Sequence, residues 1–103
     1  MLTEEFLRYI DLEDRRLKER FPGLDAEKAR LARTVKLSEE MGELADQILA
    51  LSGLQRKEKL QNSSRSALAK EFADLVITTF LVAKSADVDI IQALEEKIPE
   101  LNQ

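Results

Sequence analysis

The chain has no cysteine and no histidine. The first absence removes disulfides, thiol nucleophiles and thiolate zinc sites. The second removes the commonest general base and every mechanism built on a serine–histidine pair. Any catalysis therefore rests on carboxylates, Lys or Arg, hydroxyls or a metal ion. A positive excess is also missing. The net charge of −4 argues against a nucleic acid polymer as partner, because phosphate backbones call for a basic face. A nucleotide delivered with a metal stays open. The first residues, Met1-Leu2-Thr3-Glu4-Glu5, are acidic and lack the apolar run of a signal peptide. The longest apolar tract, Leu75 to Ala83, is broken by Thr78 and Thr79 and is too short to span a bilayer. These absences lead to the expectation of a cytoplasmic protein with no membrane partner.

What remains is a helical composition. The 103 residues are 44% hydrophobic and 35% charged, with three Gly and two Pro, as expected of one all-α domain covering residues 1–103. Thr3 reads as the cap of a first helix that ends at Phe21-Pro22-Gly23, where Gly23 suits a left-handed cap. Asp25 caps a second helix, Ala26 to Leu51, closed by Ser52-Gly53. Gln55 to Ser64 is a polar connection carrying Arg56, Lys57 and Lys59, with Ser63 or Ser64 capping a third helix from about Arg65 to Ala86. Leu75 to Phe80 has strand propensity, yet no turn residue interrupts Ser66 to Ser85, a run longer than ordinary strands. Asp87 or Asp89 opens a fourth helix that fades at Ile98-Pro99. The expected architecture is a compact four-helix bundle.

In the second helix, Leu37, Met41, Leu44, Ile48 and Leu51 form an apolar stripe. Beside it runs a polar row, Lys36, Glu40, Glu43 and Gln47. At 100° per residue Glu40 falls at the stripe's edge, Glu43 further round, and Glu39 almost opposite. Gly42 in mid-helix costs about 1 kcal/mol relative to Ala, which suggests close approach of a backbone or ligand. The third helix is apolar nearly all round, yet holds Glu71 and Asp74, with Thr78 one turn further on the same face. Acids on a buried helix are protonated, ion-paired or bound to metal. For one such acid an ion pair to Lys70, Arg65 or another helix is the common explanation. Two acids three residues apart, matched by two more on another helix, favour a hard divalent cation instead, since four clustered carboxylates repel.

Glu40-x-x-Glu43 followed by Glu71-x-x-Asp74, with Lys36-Leu37-Ser38-Glu39-Glu40-Met41-Gly42-Glu43-Leu44 around the first pair, resembles the ExxE…ExxD signature of the MazG-type all-α nucleoside triphosphate pyrophosphohydrolases. The resemblance covers roughly Arg30 to Ala83. It implies that Glu40, Glu43, Glu71 and Asp74 are catalytic and coordinate Mg²⁺, with Mn²⁺ as a substitute and Glu39 as an additional ligand or outer-shell acid. It also implies hydrolysis of (deoxy)nucleoside triphosphates to monophosphate and pyrophosphate by a homodimer or homotetramer. Lys36, on the row of Glu40 and Glu43, is a candidate to hold the triphosphate, and Arg33 one turn earlier is another. The family's closing-helix Lys and Asn have their nearest counterparts in Lys97 and Asn102, with Pro99 intervening. Phe6, Tyr9, Phe21, Phe72 and Phe80 are read as core rather than base-stacking groups. Two other functions remain: a phosphoribosyl-ATP pyrophosphohydrolase of histidine biosynthesis, and a non-catalytic helical interaction module on the same fold.

Overall fold

Each helix in the computed structural model begins and ends where the chain supplies or removes backbone partners. The structure describes residues 2–53 and 65–103; the connection at 55–64, with Arg56, Lys57, Lys59 and the caps read at Ser63 or Ser64, lies outside them. Helix α1 spans Leu2–Arg20, with Glu4 and Glu5 in its first turn and Lys18 and Arg20 in its last, which complements the helix dipole at both ends. It starts before Thr3, so Thr3 lies inside the helix and is not its cap. Gly23 does not take a positive φ. Instead the Leu24 N–H donates to the Phe21 carbonyl at 3.2 Å, a tight turn with Pro22 and Gly23 at its centre.

Helix α2 spans Ala26–Leu51. The Asp25 carboxylate accepts from the Lys28 N–H at 2.8 Å, and Gly53 beyond the Ser52 cap has φ +75°, the left-handed exit expected there. Helix α3 spans Arg65–Ser85 and absorbs the β-branched run at Leu75–Phe80. Thr78 and Thr79 hydroxyls donate to the Asp74 and Leu75 carbonyls at 2.8 and 2.7 Å, which satisfies them within the helix. The helix ends in a paired closure: Val88 N–H to Ala83 and Asp87 N–H to Lys84, with Asp87 at φ +57° where Gly is usual. Helix α4, Ile90–Leu101, is capped by Asp89 and continues through Pro99 to Leu101. Pro99 has no N–H to give the Glu95 carbonyl, so the helix continues past it with one backbone hydrogen bond missing.

All regular structure among the described residues is helical, as expected, but the helices do not close into a compact bundle. The radius of gyration is 16.3 Å, against about 13 Å for a compact chain of this length. Helices α2 and α3 make the main packed pair, and α1 joins α3 more slightly, through an edge-to-face contact of Phe6 on Phe80 (4.8 Å) and a Lys84–Asp11 ion pair at 2.8 Å. Helix α4 reaches the others chiefly at its start, where Ile90 and Ile91 line a cavity of about 410 Å³ with Leu7, Ile10 and Phe80. The buried apolar residues among those described are Ile10, Ala50 and Leu81. Tyr9, Phe21 and Phe72, expected in the core, are substantially exposed. No described helix is long and apolar enough to cross a membrane.

Candidate metal centre

The face that α2 turns toward α3 lies at the polar edge of the apolar stripe, where Leu37 and Leu44 are half-buried. Met41 is 56% exposed, whereas Glu40 is only 6% exposed, and Arg33 is likewise buried. Arg33 and Glu40 are seven residues apart and lie within about 20° of each other on the wheel, while Met41 lies about 80° away. The packed face therefore runs through Arg33, Glu40, Leu44 and Gln47. A second apolar face, with Leu31, Val35 and Leu49, looks outward and is exposed. Gly42 belongs to that outer face. A Cβ built there meets nothing within 4 Å, so among the described residues Gly42 answers to no close approach.

The two helices run antiparallel with a readable register. Arg33 Nη1 donates to the Leu81 carbonyl at 3.0 Å. Ten residues forward from Arg33 is Glu43, and ten back from Leu81 is Glu71. Those two acids do meet: carboxylate oxygens of Glu40, Glu43 and Glu71 all lie within 4.8 Å of one another. Glu40 is buried, Glu71 half-buried and Glu43 exposed, so the group opens to one side. Asp74, the fourth expected ligand, is exposed and stands outside this converging set, though near enough for its charge to act on Glu71.

The negative charge of the group is only partly balanced. Loss of water around Glu71, then the negative charges of Glu43, Glu40 and Asp74, push its carboxyl above the ordinary range. Glu40 Oε2 and Glu71 Oε2 are buried without a hydrogen-bond partner. Gln47 Oε1, further along the same row, is in the same condition. Among the described residues Glu71 and Asp74 form no ion pair with Lys70 or Arg65. Among the described residues the cation that reaches the group is Lys36, with Nζ 3.1 Å from Glu40 Oε1 and 3.8 Å from Glu39 Oε2. Its pKa is raised by the hydrogen bond to Glu40 and by the charges of the neighbouring acids. Glu39 itself is exposed and outside the converging set. An all-oxygen donor set with bare buried acceptors fits a hard cation such as Mg²⁺.

The remaining candidates are engaged elsewhere. The Arg33 guanidinium, a candidate to hold the triphosphate, is buried and bonded to Asp14 (2.8 Å) and the Leu81 carbonyl. Lys97 pairs with Glu100 on its own helix, and Asn102 caps α4. No contact among the described residues brings either to the acids. The Asp14–Arg33 pair, joined by Lys18 at 3.0 Å, escaped sequence reasoning. Its available signal was the seven-residue phase of Arg33 with Glu40. Comparison with protein-family models, curated proteins and solved structures finds no match for this chain.

Proposed function

We propose that the chain is a Mg²⁺-dependent pyrophosphohydrolase of the MazG type, converting (deoxy)nucleoside triphosphates to monophosphate and pyrophosphate in the cytoplasmic pool. The observation that carries this reading is the convergence of Glu40, Glu43 and Glu71 with two buried, partnerless oxygens. Glu40, Glu43 and Glu71 would hold the cation, with Asp74 adjoining and Glu39 at the outer edge. A bound divalent ion supplies charge neutralisation on the phosphates and a more acidic attacking water. Lys36, exposed and tethered beside Glu40, would hold phosphate oxygens. A carboxylate of the group would accept the proton of the water that attacks the α-phosphorus, as the α–β anhydride breaks and pyrophosphate leaves. The exposed outer face of α2 and the thin core support a homodimer or homotetramer, because a chain this open leaves much apolar surface uncovered.

The test is direct. The protein is incubated with Mg²⁺ and a panel of (d)NTPs and phosphoribosyl-ATP, and pyrophosphate is measured. Metal-dependent release is expected from a (d)NTP, falling about a hundredfold in Glu71→Gln. Release confined to phosphoribosyl-ATP would move the assignment to that substrate. No release from any of them would leave a helical interaction module as the reading.

A further inference from the structure

The two partners in the Lys36–Glu40 contact are held very differently. The Glu40 side chain is 7% exposed and that of Lys36 is 56% exposed. Glu40 is fixed in the α2–α3 seam, whereas Lys36 reaches it from solvent on an unbranched stem that is free to rotate away. The contact engages Glu40 Oε1, while Oε2 of the same carboxylate is buried and bare. One ammonium therefore neutralises part of a group of three converging acids. A divalent ion seated on Glu40 would repel an ammonium held at the same carboxylate, and Lys36 has open solvent to move into.

We infer that Lys36 is a placeholder cation, seated on Glu40 while no divalent ion is bound and released toward phosphate oxygens when one is. The inference rests on the metal-site reading above and adds a linkage to it. Lys36 weakens cation binding by competing for Glu40, and strengthens anion binding once the cation is in place. Each ligand then favours the other through one side chain. A lysine that merely oriented Glu40 would act the other way on the cation, since its removal would loosen the ligand.

The experiment uses the full chain and does not depend on turnover. Mn²⁺ binding is measured by calorimetry and by the electron paramagnetic resonance signal of free Mn²⁺, in wild type, Lys36→Met, Lys36→Arg and Glu71→Gln. Inorganic phosphate is then titrated into each Mn²⁺-loaded protein. Lys36→Met is expected to bind Mn²⁺ roughly tenfold tighter than wild type, because one competing charge is gone. Lys36→Arg should stay close to wild type. Phosphate binding to the loaded Lys36→Met protein should be severalfold weaker. Because Lys36 is largely exposed, helix content by circular dichroism should be unchanged. Mn²⁺ binding in Lys36→Met equal to or weaker than wild type overturns the placeholder role while leaving the metal site intact. Failure of wild type to bind Mn²⁺, or equal binding by Glu71→Gln, overturns the metal site and the placeholder with it.

Discussion

Two groups of charge are buried against one face of α2, about two turns apart, and they are built in opposite ways. At one end Asp14 meets Arg33 at 2.8 Å and Lys18 at 3.0 Å. Burial alone would raise the Asp14 carboxyl, but the hydrogen bonds and charges of Arg33 and Lys18 outweigh it and hold the pKa below the ordinary value. At the other end Glu40, Glu43 and Glu71 share the reach of Lys36 alone among described cations, and Glu71 is pushed up. Burial is common to both groups. Charge balance separates them: one acid is matched by two cations at the first, and three acids share one described cation at the second.

The largest effect should come from unbalancing the finished group. Arg33→Met strands Asp14 beside Lys18 only, and unfolding by urea should report a loss of about 3 kcal/mol. The double variant Asp14→Leu with Arg33→Met should recover most of that loss, because an apolar pair of similar volume removes both desolvation costs. A double variant as unstable as the single one would mean that the Leu81 carbonyl bond, and not the ion pair, carries the effect.

Next in size is completion of the unfinished group. Mg²⁺ at a hundredfold excess over its Kd should stabilise wild type by about 2.7 kcal/mol. Glu71→Gln should melt higher than wild type without metal, since one repelling charge is gone, and should gain almost nothing from Mg²⁺. A metal-dependent rise of the same size in both proteins would remove Glu71 from the ligand set.

The smallest effect is in pH, where the two groups carry opposite signs. Asp14 has a folded pKa below its unfolded one, so its stabilisation is present above pH ~4 and is lost as pH falls through the lowered value. Glu71 has a raised folded pKa, so the metal-free protein loses stability as pH rises through it. Melting curves against pH should show Asp14→Asn flattening the acid limb and Glu71→Gln flattening the upper one. Unchanged limbs would show that neither group governs the profile.

The helices were legible in the sequence because caps and breakers are local. Asp25, Gly53 and Asp89 act within one turn of themselves. The three converging acids were legible for a similar reason, since i,i+3 spacing and apolar surroundings can be read along one helix. The rotation of α2 was only partly so. Apolar residues occupy both the Leu37–Met41 stripe and the Leu31–Val35–Leu49 face, so hydrophobicity alone leaves the side facing α3 undecided. The face chosen within the chain carries Arg33 and Glu40, whose polar character hid it. The Asp14–Arg33 pair joins separate helices, and local spacing gives no notice of such a meeting. Pro99 misled in the other direction, because the helix continues past it to Leu101 despite the missing donor.

The Arg33–Leu81 hydrogen bond has a consequence for how this site is specified. It marks the phase of α3 against α2 in which Glu71 meets Glu43. A one-residue slip of α3 would swing Glu71 by about 100° and dissolve the group, although every residue of the motif would still be present. The number of residues between the helices, by contrast, leaves the convergence untouched while that phase holds. The centre behaves as a vernier: two graduated helices, an index mark at Arg33, and a reading taken ten residues away.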